Sequence, residues 1–189
     1  NRLAPTQKVL LELVGNALFS KQKSTLVDEE ILLSVWQEAM VQTVPLIAFS
    51  DVSLNHFSTS FRGEVQKNLH GAFQRNVLIA QGHVLVNRLL HQAGIEYVVM
   101  KGLASALYYP DYLMRSMGDV DFLVAKEDFE KADKLFKDNG FVVQKGFDDH
   151  HVTYYKNGVR YELHFEPPGI PKGKNGEIVN YNGTEIPSS

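Results

Sequence analysis

The sequence predicts an α+β fold in which a helical N-terminal part precedes a region where strands and helices alternate. Two observations predict this fold class. Apolar residues recur at helical spacing through most of residues 5–92. Beyond that point, short runs rich in β-branched and aromatic residues are separated by turn residues. The last two runs flank Asn157-Gly158, a strong signal of a β-hairpin.

Composition limits the classes of function. A chain of 189 residues with 44% hydrophobic residues can bury a sizeable core. Its 19 basic and 22 acidic residues give a net charge of −3, so no overall basic field attracts nucleic acid. The absence of cysteine excludes disulfides, thiolate catalysis and cysteine-ligated zinc. We find no membrane-length apolar run and no signal segment, and therefore expect a cytoplasmic protein without a membrane partner.

Three helical segments are predicted in residues 1–58. Thr6 suits the N-cap of the first segment, which ends at a polar run beginning at Ser20. The second segment extends from about residue 27 to residue 43. Pro45 begins the third, because proline suits the first turn of a helix. Their apolar stripes indicate a core, and we predict no chemistry in this region.

A long helix is predicted over residues 61–92. Its apolar stripe is expected to include Phe73, Val77 and Val84, and Gly94 suits the C-terminal cap. We therefore expect this helix to bury that stripe against the rest of the fold.

Three histidines of this helix could be considered as metal ligands. His70, His83 and His91 are not three or four residues apart, as two ligands on one helical face would be. We therefore expect ordinary surface or hydrogen-bonded histidines.

The candidate chemistry lies between Tyr97 and Val124, a stretch predicted to form a strand, a turn, a short helix, a loop and a second strand. Asp119 and Asp121 lie two residues apart on the second strand and therefore share one face. Two like charges on one face repel each other unless a cation lies between them. Magnesium prefers such carboxylate oxygens, with substrate phosphates completing its shell. The alternative interpretation of Asp-Val-Asp alone is a solvated strand face.

Three neighbouring features favour a site over a solvated face. Gly118 leaves room for a ligand to approach the backbone closely. Lys101-Gly102 form a turn into a predicted helix, whose free N–H groups suit a phosphate. Arg115 lies in the connecting loop and offers a fork of donors that can clamp a phosphate.

The remaining elements are a helix and three strands. An amphipathic helix is predicted over residues 126–139, and its many charges indicate a solvated face. The strands are predicted at residues 141–144, 151–155 and 159–165, with the Asn157-Gly158 turn joining the last two.

Glu162 and His164 share one face of the last predicted strand. If this strand neighbours the Asp119 strand, Glu162 can reach the same cation. The alternative role of Glu162 is to pair with a lysine or arginine across strands. His164 can orient Glu162 or a substrate, or it can make a single structural hydrogen bond.

Taken together, these motifs resemble the polymerase-beta-type nucleotidyltransferase superfamily, and most closely its uncharacterised nucleotidyltransferase family. The resemblance covers about residues 70–166. The matching motifs are, in order, Lys101-Gly102, Tyr109-Pro110, Arg115, Asp119-Val120-Asp121 with Leu123-Val124, and Glu162-Leu163-His164. The turn departs from the superfamily, which usually has Gly-Ser or Gly-Gly where this chain has Gly102-Leu103.

The resemblance implies a polymerase-beta-like core, a mixed sheet flanked by helices, within a nucleotidyltransferase-like domain at residues 59–189. We expect a C-terminal part of this core to be missing from the chain. The implied reaction moves a nucleoside monophosphate from a nucleoside triphosphate to an acceptor hydroxyl and releases pyrophosphate. The acceptor (small molecule, protein or RNA) and the oligomeric state stay open. The alternative is a non-catalytic nucleotide- or partner-binding module on the same scaffold.

The resemblance also implies two groups of site residues. The catalytic residues, which would also hold Mg²⁺ or Mn²⁺, are Asp119, Asp121 and Glu162. The residues expected to bind the nucleotide are Lys101, Gly102, Arg115 and His164.

Overall fold

The structure, a computed structural model, describes residues 3–19, 28–55, 57–144 and 150–166. It is an α+β fold in which N-terminal helices precede a five-stranded mixed sheet, and it therefore confirms the predicted fold class. The helix break predicted at Ser20 and the chain after Glu166 lie outside the described residues. The division into residues 1–58 and 59–189 stays a prediction.

The described residues of the N-terminal part form three helices: α1 (Pro5–Phe19), α2 (Glu29–Val41) and α3 (Pro45–Ala48). Helix α1 begins at Pro5, so Thr6 lies inside its first turn and the prediction that Thr6 is its N-cap is wrong. Asp28 caps α2 by accepting a hydrogen bond from the Glu30 backbone N–H. Pro45 opens α3 as predicted.

These three helices share a core with the first turns of α4 (Thr59–Gln92). Trp36 is buried in that core, and its ring meets the ring of Phe49 edge to face at a centroid distance of 5.0 Å. Apolar packing therefore accounts for the single tryptophan.

Helix α4 links this core to the sheet. Ser58 caps its N-terminus, and Gly94 follows its C-terminus with a φ of +64°. The predicted stripe is wrong in part, because Val84 and Phe73 are exposed. The buried positions near the sheet instead include two polar side chains, Asn76 and His83.

The sheet has the strand order β1-β2-β5-β4-β3. Its strands are β1 (Tyr97–Val99), β2 (Val120–Val124), β3 (Val142–Val143), β4 (His151–Lys156) and β5 (Val159–His164). Strands β2 and β5 run parallel, whereas the other three pairs are antiparallel. Helix α5 (Leu103–Ala106) lies between β1 and β2, and α6 (Phe129–Asp138) follows β2. The Asn157-Gly158 turn has positive φ at both residues, which confirms the predicted hairpin.

Alternation along the strands separates an apolar row from a polar row. Val120, Phe122 and Leu163 are fully buried in the core that the sheet shares with α4 and α6. The intervening positions place Asp121 and Glu162 on the opposite face. Among the described helices, none is both long and apolar enough to span a membrane.

Candidate active site

The parallel pairing of β2 with β5 brings distant acidic residues together. Asp121 lies directly beside Glu162 in this pairing, so both side chains project from one face. Asp119 immediately precedes β2 rather than lying within it. One carboxylate oxygen from each of these three residues lies within 4.8 Å of the other two. The structure therefore gathers all three acids that the sequence singled out.

Asp121 is the most buried acid of this cluster, with 1% of its surface exposed. Both of its oxygens are buried, and neither accepts a hydrogen bond from the described residues, although the Lys101 ammonium lies 2.9 Å from Oδ2. Burial alone would raise the pKa of Asp121, but the neighbouring His164 and Lys101 outweigh it and lower the pKa to about 2. Asp121 is therefore ionised at neutral pH.

The pKa of Asp119 is shifted in the opposite direction, upward. Burial raises the pKa of its carboxyl, and the negative charge of Asp121 raises it further, against the opposing charges of Lys101 and Arg160. The negative charges of the two aspartates therefore repel each other, and a cation between them would relieve this repulsion.

The Lys101-Gly102 turn lies against this pair. Gly102 has a φ of +60°, and a Cβ atom there would lie 3.4 Å from His83 Nε2 and 3.6 Å from the Asp119 carbonyl oxygen. The turn is therefore close to both the backbone of Asp119 and the long helix. The helix predicted after this turn is α5 (Leu103–Ala106), with Gly102 at its N-cap position, and phosphate binding at the turn stays a prediction.

Arg115 lies in the loop before β2 and is half-buried. Its Nη1 donates to the Ser116 carbonyl oxygen at 3.3 Å. Within the described part of the chain, its guanidinium forms no ion pair with the three acids.

Asn76 holds the same loop in place, and sequence reasoning missed it. This side chain is 2% exposed, and its Nδ2 donates to the carbonyl oxygens of Leu113 and Arg115 at 2.6 and 2.8 Å. Its Oδ1 accepts from the Met117 backbone N–H at 3.1 Å. The loop leading to Asp119 is thereby fixed to α4. In the sequence, Asn76 precedes Ile79 by three residues and His83 by seven, so the three side chains share one face of the helix. This spacing could have indicated that Asn76 is buried.

His83 was also missed. It is 6% exposed, and its Nε2 is buried without a hydrogen-bond partner among the described residues. Burial lowers the pKa of His83, while the charge of Asp121 acts in the opposite direction. The expectation of a surface or hydrogen-bonded histidine is therefore wrong for this nitrogen, which lies behind the Gly102 turn.

Glu162 is buried and has several close neighbours. It forms an ion pair with Arg160, a residue of the same strand rather than of a neighbouring one. The Nε2 of His164 lies 3.3 Å from Glu162 Oε2 and 3.9 Å from Asp121 Oδ1. His164 therefore lies beside two of the three acids, and His151 Nε2 approaches Glu162 Oε1 at 3.8 Å.

The donor set of the cluster fits a hard divalent cation. Three carboxylates converge, and two buried oxygens of Asp121 have no regular hydrogen bond among the described residues. Mg²⁺ is commonly held by one or two protein carboxylates, with waters and phosphate oxygens completing its octahedral shell. The arrangement can therefore hold such an ion against a phosphate-bearing substrate.

Comparison with known proteins gives a family. The model of a family described as "Uncharacterised nucleotidyltransferase" matches residues 29–170, which is more than half of the chain. No curated protein and no solved structure matches the chain. The matched range contains both aspartates, Glu162 and the Lys101-Gly102 turn. The general class of activity attached to this family is nucleotidyl transfer. The chain therefore belongs to the uncharacterised nucleotidyltransferase family.

Proposed function

We propose that the protein is a metal-dependent nucleotidyltransferase that moves a nucleoside monophosphate from a nucleoside triphosphate to an acceptor hydroxyl. One observation carries the proposal: the pairing of Asp121 with Glu162 completes a cluster of three carboxylates together with Asp119. In the reaction, the acceptor oxygen forms a bond to the α-phosphorus. The bond from that phosphorus to the bridging oxygen breaks, and pyrophosphate leaves.

The three acidic residues would have different roles. Asp119 and Asp121 would hold a magnesium or manganese ion, and Glu162 would complete a second metal position and help to activate the acceptor hydroxyl. When bound, the ions supply neutralising charge for the phosphates and acidify the hydroxyl. The proton of the hydroxyl passes to Glu162 or to solvent as the new bond forms.

Lys101 can contact both Asp121 and the triphosphate of the substrate. Its ammonium is exposed on one side and contacts buried Asp121 on the other, and this contact raises the pKa of Lys101. With Asp121 engaged as a metal ligand, the Lys101 ammonium would be available to the triphosphate. Gly102 lets the backbone approach the phosphates, and Arg115 and His164 complete the nucleotide site. Positioning and electrostatic stabilisation then supply most of the rate.

Incubation with Mg²⁺ and each labelled nucleoside triphosphate tests this proposal. The double variant Asp119→Ala/Asp121→Ala should lose binding of the metal–nucleotide complex and release no pyrophosphate. The matched control is Glu127→Ala/Glu130→Ala, which removes the same charge from exposed positions next to and on α6. Equal binding of Mg²⁺ and nucleotide by the double aspartate variant would overturn the metal assignment.

The two ion pairs of the cluster favour a second candidate, a non-catalytic nucleotide- or partner-binding module. Lys101 neutralises Asp121, and Arg160 neutralises Glu162, so two acids have basic partners without any metal. This candidate predicts nucleotide binding without pyrophosphate release across a broad screen of small-molecule, protein and RNA acceptors. Pyrophosphate release with any acceptor decides against it.

A further inference from the structure

A second group of donors lies beside the three acids. One ligand atom each from His151, Glu162 and His164 lies within 4.8 Å of the other two. We propose that these residues bind a divalent cation of the zinc type, in a site that shares Glu162 with the carboxylate cluster. This site requires no nucleotide chemistry and goes beyond the function proposed above.

The register of β4 and β5 creates this group. His151 lies directly opposite His164, and Thr153 lies directly opposite Glu162, so all four residues project from one sheet face. The two imidazole rings are 4.8 Å apart between centroids and tilted by 34°. Their Nε2 atoms lie 3.8 and 3.3 Å from the two oxygens of Glu162. Backbone pairing thus brings two imidazoles to one carboxylate.

The burial of His164 without hydrogen-bond partners among the described residues provides separate support for a bound ligand. This side chain is 3% exposed, and both ring nitrogens are buried without a hydrogen-bond partner among the described residues. Burying an unpaired polar group costs about 1–3 kcal/mol. A cation between His164 and Glu162 would satisfy the Nε2 that already faces this carboxylate.

The donor chemistry selects the class of cation. Two imidazoles and one carboxylate form the ligand set of many catalytic zinc sites, which keep a further position for water or substrate. Imidazole suits zinc and related transition metals, whereas Mg²⁺ prefers oxygen ligands. Arg160, the present ion-pair partner of Glu162, has a partly exposed side chain and can turn toward solvent when a cation binds.

Titration of the full chain with Co²⁺ tests the proposal, because cobalt in a low-coordinate site with imidazole ligands absorbs visible light much more strongly than hydrated Co²⁺ does. Wild-type protein should bind one Co²⁺ in this way, and Zn²⁺ should displace it while excess Mg²⁺ should not. His151→Ala and His164→Ala should weaken binding by more than the roughly 10–100-fold that loss of an outer-shell partner causes. His91→Ala, an exposed histidine of α4, is the control and should bind as wild type does.

Two outcomes overturn the proposal: no such binding by the wild type, or unchanged binding by His151→Ala. His151 is partly exposed, so this variant decides the question even if His164→Ala fails to fold, as judged by circular dichroism. Asp119→Asn should keep the cobalt spectrum, because Asp119 lies outside this donor group. Loss of metal–nucleotide binding in the aspartate variants and loss of cobalt binding in the histidine variants are therefore separate results.

Discussion

Asp121 and Glu162 are direct neighbours across the parallel pairing of β2 with β5. Helix α6 and strands β3 and β4 lie between them in the chain, yet β5 returns to lie beside β2 rather than at a sheet edge. The pairing therefore converts two distant sequence motifs into one cluster. It also places two buried carboxyl groups side by side, and Lys101 and Arg160 supply the compensating positive charge.

Replacing Asp119 by asparagine should stabilise the metal-free protein at neutral pH. Because folding raises the pKa of Asp119, its protonated carboxyl favours the folded state at low pH. This contribution is lost as the pH rises through the folded-state pKa. Asparagine stays neutral at every pH. Urea denaturation should therefore give a higher free energy of unfolding for Asp119→Asn than for wild type at pH 7. The difference should shrink as the pH falls to about 4.

Asp138→Asn is the control for this comparison, because Asp138 is an exposed residue of α6 paired with Lys134. Its free energy of unfolding should change by no more than about 0.5 kcal/mol. If the proposed site holds Mg²⁺ through this carboxylate, the ion should stabilise the wild type more than Asp119→Asn. A lower stability of Asp119→Asn than of wild type at pH 7 would contradict the like-charge explanation.

Replacing Asn76 by alanine should destabilise the protein by about 2 kcal/mol or more. The substitution removes the partner of two carbonyl oxygens and one N–H in the loop before Asp119. Each buried polar group left unpaired costs about 1–3 kcal/mol. Urea denaturation measures the loss, and Asn68→Ala, an exposed asparagine bonded to the Glu64 carbonyl of the same helix, is the matched control.

Asn76→Asp distinguishes the hydrogen bonds that this side chain donates from the one that it accepts. Aspartate keeps an acceptor for the Met117 N–H but cannot donate to the carbonyl oxygens of Leu113 and Arg115. The variant should therefore also be destabilised. If both Asn76 variants unfold as wild type does, the loop does not depend on these hydrogen bonds.

Local features of the sequence predicted part of the fold and of the site. Alternation along a strand is a local rule, and Val120 and Phe122, which alternate with Asp119 and Asp121 in the sequence, are buried in the core. The Asn157-Gly158 turn was also predictable, since few residues tolerate positive φ at both positions of such a turn.

The rest depended on tertiary contacts. Nothing local specifies that β5 lies beside β2, so the position of Glu162 could be expected only on the condition that the two strands are neighbours. Similarly, the apolar residues of α4 predicted a stripe through Val84, which is exposed. Asn76 is buried instead, because its three hydrogen bonds to the loop compensate the loss of water. A pattern that counts only apolar residues cannot find such a position.

Replacing Gly82 by alanine should destabilise the contact between α4 and the sheet. A Cβ atom there would lie 2.9 Å from the Tyr161 hydroxyl oxygen and 3.0 Å from a methyl carbon of Val120. The buried side chains of Tyr161 and Val120, or the helix itself, must then shift, at a cost of about 1–3 kcal/mol. Gly63→Ala on the same helix meets no atom within 4 Å and should stabilise by about 0.5–1 kcal/mol. Thermal unfolding compares the two, and stabilisation by both would show that the close approach is not maintained.

Replacing Gly102 by alanine should weaken nucleotide binding as well as stability. Both glycines have positive φ, +60° at Gly102 and +64° at Gly94, so alanine strains the backbone at either position. At Gly102 the ψ of −114° lies outside the left-handed helical region, so the strain there is about 1–3 kcal/mol. A new Cβ meets open space at Gly94, whereas at Gly102 it approaches His83 and the backbone of Asp119. Titration with Mg²⁺ and a nucleoside triphosphate should therefore show binding about tenfold weaker, or about 1.4 kcal/mol, for Gly102→Ala alone. Equal affinities of the two variants would leave Gly102 with a role in folding and none in holding the phosphates.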